Sequence, residues 1–250
     1  MNSRHLQATA RKEPWTLFRL VNLLPLLLLA LVVSIMVWLW HRMQNPSEYP
    51  IQHVKISTIG QYVDPNIIKH TITENAEGGF FSVNIQQIKN TLLDNPWIKS
   101  VSIRRVWPDS LDVDITEQQP FARWGNGGVL SSDGNVFYPE VTTIPSKLPL
   151  IEAPMAVKDT VQSSFTDFNH WLLPLGLQVV KLTVTQRLAW TVELSNGIRI
   201  NLCRNDTTNR FESFVKLYPQ LIGARAQDVV SVNLCYPNGL AVRWKDGKAS

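Results

Sequence analysis

The chain has 250 residues, 44% of them hydrophobic and 18% charged, with a formal net charge of +4. Its first forty residues hold +3 of that charge, so residues 41–250 carry only +1, which excludes a nucleic-acid binder by charge. Five scattered histidines, with no i, i+4 pair and no cysteine neighbour, argue against a zinc site, and no glycine-rich phosphate loop is present, so no cofactor is expected.

Residues 23–40 form one uninterrupted apolar run. At ~1.5 Å of rise per residue, the run and its flanks are about long enough to cross a ~30 Å hydrocarbon core. Arg4, Arg11, Lys12 and Arg19 precede the run against Glu13 alone, whereas Arg42 alone stands just after it. The positive-inside bias therefore assigns residues 1–20 to a cytoplasmic tail, 21–41 to a membrane helix and the bulk of the chain to the far side of the inner membrane. A cleaved signal peptide is the alternative, but the run exceeds the usual ~7–15-residue apolar region, and Trp38-Leu39-Trp40-His41-Arg42 offers no small-x-small cleavage site. Trp38 and Trp40 read as interfacial aromatics, while Asn22 and Pro25 mark either a frayed helix start or a packing face for partner helices.

A polar linker, 41–49, with Asn45-Pro46-Ser47 ending the helix, precedes a first exported unit at 49–118. Residues 51–59 suggest a strand carrying Val54, Ile56 and Ile59; Asp64-Pro65 caps a short helix whose buried stripe is Ile67, Ile68 and Ile72. Gly78-Gly79 leads through Phe80 and Phe81 to a second helix, where Asn84 and Gln87 have capping-box spacing and Ile85, Ile88 and Leu92 share a face. Asn95-Pro96 closes it, and two alternating stretches, 98–106 and 111–115, follow with Pro108-Asp109 in their turn. Arg104 and Arg105 point to opposite faces, so both cannot be buried cheaply.

A second unit occupies 121–245 and a short tail 246–250, which leaves no long C-terminal segment. Val129-Leu130 and residues 136–138 flank a Ser132-Asp133-Gly134 turn. Val161, Phe165, Phe168 and Leu172 form a helix stripe that begins near Lys158 or Asp159 and ends at Pro174-Leu175-Gly176. Strands are expected at 177–184, 188–194 and 198–203, the last two joined by Asn196-Gly197, a strong hairpin signal. Thr207 or Thr208 caps a helix with Phe211, Phe214, Val215 and Tyr218 in the core, and strands at 229–236 and 240–244 close around Pro237-Asn238-Gly239. The fold class is α+β: a β-α-α-β-β unit, then a unit with a mostly antiparallel sheet ending in an edge hairpin. Cys203 and Cys235 share the polar side of their strands; a bridge is open to them if those strands are neighbours, but two free thiols are expected.

Asn95-Pro96-Trp97-Ile98, then Arg104-Arg105-Val106-Trp107-Pro108-Asp109, then Glu117-x-x-Pro120-x-Ala122-x-Trp124 resemble the membrane-proximal POTRA domain of the bacterial FtsQ/DivIB cell-division family. The resemblance extends over residues 50–245, and the residues of these motifs are expected to maintain the fold, the two arginines excepted. It implies a divisome protein of the inner membrane and division septum with one membrane helix, whose final strand is where the small partner FtsB adds a strand of its own. Leu234-x-Tyr236-x-x-Gly239-x-x-x-x-Trp244 carries that segment, making Tyr236, Asn238, Gly239, Leu240, Val242 and Trp244 candidate contacts. Trp190 aligns Arg187 with a family arginine that pairs with an acidic residue of FtsB, although a solvated turn residue is its simplest reading in isolation. Arg243 departs from a position that is often small in the family. By the same resemblance FtsL joins FtsB, and the complex helps recruit and regulate the septal peptidoglycan synthase FtsW and FtsI.

An enzyme is not expected. Ser213-x-x-Lys216, Ser231-x-Asn233 and Lys245-Asp246-Gly247 loosely mimic the motifs of penicillin-interacting serine enzymes, but the third lacks its threonine and the separations are too short for that fold. The competing readings are a membrane-anchored periplasmic hydrolase, which requires a pocket of convergent polar groups, or a POTRA-bearing export chaperone, which requires several repeats and a barrel.

Overall fold

The computed structural model describes residues 15–44, 49–76, 78–236 and 239–245. The expected tail up to residue 14, linker residues 45–48, Asn238 and the segment 246–250 lie outside them. First comes a 30-residue helix, α1 (Trp15–Gln44), with Pro25 inside it. Its stretch Pro25–Arg42, of mean hydropathy 1.8 and with none of it buried, is long and apolar enough to cross a membrane. The helix extends both into the segment assigned to the tail and into the one assigned to the linker, because neither 15–20 nor 41–44 contains a residue that breaks a helix.

The first unit follows as β1 (His53–Ile59), α2 (Pro65–Asn75), α3 (Ile85–Leu93), β2 (Ile98–Val106) and β3 (Ser110–Glu117). β3 is central: β1 runs parallel to it with Val54 opposite Leu111, and β2 antiparallel with Ile103 opposite Val113. Asp64 starts α2 by accepting the Asn66 N–H at 2.8 Å, with Pro65 in the first turn, and Asn84 starts α3 by accepting the Gln87 N–H at 3.1 Å. Ile68, Ile72, Ile88 and Leu92 bury against Leu111, Val113 and Ile115. Ile67 does not join them and is 59% exposed, since it stands about 100° round the helix from Ile68, whose i+4 neighbour Ile72 already defines the buried face.

The two arginines of β2 leave the sheet on opposite faces. Arg104 Nη2 donates to Asp112 at 2.9 Å and Asp114 at 3.2 Å, alternate residues on one face of β3, while Arg105 Nη2 donates to the Val83 carbonyl at 2.9 Å. Trp107, expected to maintain the fold, is instead 75% exposed at the β2–β3 turn, beyond the last buried position of its strand.

The second unit comprises β4 (Pro120–Trp124), β5 (Gly128–Ser131), β6 (Val136–Phe137), β7 (Leu150–Glu152), α4 (Lys158–Leu172), β8 (Val179–Val184), β9 (Trp190–Leu194), β10 (Arg199–Leu202), α5 (Thr207–Leu221), β11 (Val229–Asn233) and β12 (Ala241–Trp244). They build one mostly antiparallel nine-stranded sheet in the order β12-β11-β10-β9-β8-β7-β4-β5-β6. α4 and α5 meet through Phe168 and Phe211, stacked at 4.0 Å, and bury Val161, Leu172 and Phe214 over Leu182, Val192 and Ile200. α5 begins after Asp206, which adopts a left-handed φ of 58° and gives no side-chain cap, so neither Thr207 nor Thr208 acts as the cap. The molecule is therefore α+β.

Only Gln118 and Gln119 separate the two sheets. Beside this joint Trp97, 4% exposed, stacks on Tyr62 at 4.4 Å, meets Phe137 of β6 at 5.2 Å and donates from Nε1 to Thr143 at 2.8 Å. The fully buried Glu117 accepts the N–H groups of Tyr62 at 2.7 Å and Val63 at 3.1 Å, and Gly60 leaves the room its carboxylate needs.

Candidate functional site

β12 closes one side of the large sheet and, among the described residues, pairs with β11 alone, Val242 opposite Val232 and Ala241 opposite Asn233. The Lys245 N–H donates to the Asp228 carbonyl at 2.8 Å, and the Leu234 N–H to Asn201 on the β10 side at 2.9 Å. Strand alternation then turns the peptide groups of Ala241 and Arg243 toward β11 and those of Val242 and Trp244 outward. Two N–H and two C=O groups are thus presented along an unpaired edge.

Side chains divide the other way. Leu240, Val242 and Trp244 lean on the core, and Trp244 carries the Arg225 guanidinium over its ring at 4.5 Å, a cation–π contact that holds the strand's end. Arg243 points to the exposed face, so a bulky residue there leaves the outward backbone clear. Next to the edge lies an open groove of about 670 Å³, lined by Phe214, Leu217 and Leu221 of α5 and by Leu234, Tyr236 and Leu240. Arg210 fastens its floor, donating from Nη1 to the carbonyls of Leu234 at 2.6 Å and Tyr236 at 3.0 Å. Tyr236 stays 54% exposed, and Gly239 faces open space.

β10 and β11 are parallel neighbours, with Arg199 opposite Ser231 and Asn201 opposite Asn233. Two residues further on, Cys203 and Cys235 form a disulfide with Cα atoms 5.1 Å apart, which corrects the expectation of free thiols. Alternation had put both on one side of their strands; the crossover through α5 that makes those strands adjacent has no local signal. The bridge closes the base of the turn that leads to β12.

Arg187 is exposed in the β8–β9 loop. That loop is tied by the Leu188 N–H to the Thr185 carbonyl at 2.9 Å, the Thr185 N–H to Ala189 at 3.0 Å and the Ala189 N–H to Thr185 Oγ1 at 3.1 Å. Leu188 holds a left-handed φ of 59°, unusual for a branched residue, and its side chain packs against the core, so the loop is pinned from beneath while Arg187 projects. Leu202 of β10 lies opposite Trp190, which puts this loop at the same end of the sheet as the disulfide and the start of β12. Three strand spacings of ~4.8 Å separate it from β12, about 14 Å. The named candidates other than Asn238 therefore occupy one end and one edge of the sheet, and Leu217, Leu221 and Arg210 join them unforeseen. Their signal was faint: Leu217 and Leu221 form an i, i+4 pair off the buried stripe of α5.

Of the residues that mimic serine-enzyme motifs, Asp246 and Gly247 lie outside the described residues. Ser213 is exposed on α5 and Lys216 pairs with Glu212 at 2.6 Å. At the far end of α5, burial pushes the Tyr218 phenol above its ordinary 10.0, with the hydrogen bond from Asn196 Nδ2 at 2.9 Å acting in the opposite direction.

Two family descriptions match this chain: the FtsQ-type POTRA domain over residues 49–118, and the C-terminal domain of cell division protein FtsQ/DivIB over residues 122–234. A cell division protein FtsQ of Coxiella burnetii is 35% identical over 204 residues, covering 82% of this chain and 84% of its own length. The FtsQ of Burkholderia pseudomallei is 30% identical with 87% of each chain covered, and that of Aliivibrio fischeri 30% identical with 98% of this chain and 94% of its own covered. With its α1 helix, its POTRA unit and the sheet that follows, the chain belongs to the FtsQ/DivIB family of cell division proteins.

Proposed function

We propose that this chain is a single-pass inner-membrane divisome protein that docks FtsB by strand addition along β12. The carrying observation is the uncovered edge at Val242 and Trp244, whose outward peptide groups match what an arriving strand lacks. Backbone pairing supplies affinity; the groove between α5 and Leu240 receives an apolar side chain of the partner, and Arg187 meets an acidic one. FtsL joins through FtsB, and the assembly recruits and regulates FtsW and FtsI at the septum. The basic residues before α1 support a cytoplasmic N-terminus and a periplasmic bulk. The role is recruitment rather than catalysis.

Co-purification of the full chain with FtsB from detergent tests this reading. Trp244→Pro, which removes an outward N–H, and Arg187→Glu, which reverses a loop charge, are each expected to abolish capture while retaining native circular dichroism. Undiminished capture by both folded variants overturns strand addition at this edge. Met43→Cys labelled only from the cytoplasmic side overturns the orientation.

A further inference from the structure

Trp107 is, among the described residues, the most exposed large apolar one, at 75%, and it does not stand alone. Val106 beside it is 47% exposed, Phe81 38% and Tyr49 37%. The last two rings meet edge-on at 5.5 Å, and the Phe80 N–H donates to the Tyr49 carbonyl at 2.7 Å. The Asp109 carbonyl accepts the N–H groups of Gln52 at 2.9 Å and His53 at 3.4 Å, so the turn bearing Trp107 abuts the segment by which the chain enters the POTRA unit. Arg105, hydrogen-bonded to Val83 in the neighbouring loop, adds a cation to the same end.

That end is on a short leash. Four residues separate Gln44, the last of α1, from Tyr49. Their five Cα–Cα steps span at most about 18 Å when fully extended. The apolar stretch of α1 ends at Arg42, beside Trp38 and Trp40, and an interfacial layer of roughly 5–8 Å begins there. An exposed tryptophan and tyrosine next to a cation suit that layer, where a ring has an apolar body to bury and a polar edge to keep wet.

We propose that this face of the POTRA unit rests on the bilayer surface, with Trp107 inserted among the lipid headgroups and Val106, Phe81 and Tyr49 around it. A protein partner on the same patch is the competing occupant, but the tether favours lipid: it holds the patch at the membrane in every molecule, whereas a partner would have to enter the gap. The contact depends on the membrane anchor and not on docking at β12.

The full chain in nanodiscs of phosphatidylethanolamine and phosphatidylglycerol tests this, because both native cysteines are bridged and a single added cysteine takes a nitroxide label. A label at Val106→Cys is expected to show a severalfold higher oxygen-to-nickel accessibility ratio than one at Leu173→Cys, a 64% exposed site on the second unit. Adding Trp107→Glu should return the Val106 label to the Leu173 value with an unchanged melting temperature. Equal ratios at the two sites overturn the proposal, as does a Val106 label shielded from both reagents, which would indicate a protein partner. Ile35→Cys serves as the internal reference: if it lacks the hydrocarbon signature, the anchor itself fails, separately from the surface contact.

Discussion

At one end of the nine-stranded sheet, β6 has two residues and buries Phe137 under Trp97; at the other, β12 has four and turns the backbone of Val242 and Trp244 outward. Natural sheets blunt an edge by making it short, by covering it or by placing charge on it. β6 uses the first two means, and the domain joint is what covers it. β12 has only Arg243, whose side chain leaves along the sheet face. The bare edge at β12 is therefore not a general property of this sheet, which keeps its opposite edge strand to two residues and buries Phe137 there.

The covered end breaks most readily. Trp97→Ala removes the contacts with Tyr62 and Phe137 and the bond to Thr143, and is expected to lower unfolding stability by about 3–5 kcal/mol in denaturant titration. Removing the bridge by Cys203→Ser with Cys235→Ser, across a sequence separation of 32, should cost about 3–4 kcal/mol in the loop-entropy account. Hydrogen exchange should then rise around residues 234–236 and 239–240 while the amides near Trp97 stay protected; uniform loss of protection would mean that the two ends are not independent. For the open edge, Val242→Pro should weaken FtsB capture about a hundredfold, about 2.7 kcal/mol, at nearly native stability. Arg243→Pro, whose N–H faces β11, should instead unfold the edge; identical behaviour of the two variants would contradict the alternation derived for β12.

The smallest effect concerns Tyr218, buried in the core between the groove-lining Leu217 and Leu221 of α5. Its folded pKa is raised above the unfolded 10.0, so the native state holds its proton longer. The associated stability is complete below pH 10 and declines as pH rises toward the folded value. Tyr218→Phe should lower stability by about 1 kcal/mol at neutral pH through the loss of the Asn196 bond, and should show a shallower decline than the parent above pH 10 in paired thermal melts.

Much of this arrangement was legible where its cause is local. Asp64-Pro65 and Asn84 start helices through atoms two or three residues away, Asn196-Gly197 makes its own turn, and Phe165 and Phe168 follow helical spacing. β4 and β7 escaped because each is short and proline-flanked, and they pair in parallel, with β7 also parallel to β8, partners that no hairpin announces. The disulfide escaped for the same reason, since it depends on β10 meeting β11 across all of α5. At the candidate site, Tyr236 and Trp244 were recognisable from family-like motifs, whereas Leu217 and Leu221 required seeing which face of α5 the sheet leaves uncovered. Trp107 read as a packing residue because a tryptophan at a turn gives no sign of which way it faces.

The two-residue joint between the sheets, bridged by Trp97 from Tyr62 to Phe137 and Thr143, has a mechanical meaning. A hinge would let each unit turn alone and would dissipate any pull between them. Here Val129 and Phe137 of the second unit lie in one buried cluster with Val63, Trp97 and Ile98 of the first, so the joint is part of a shared core and not a free hinge.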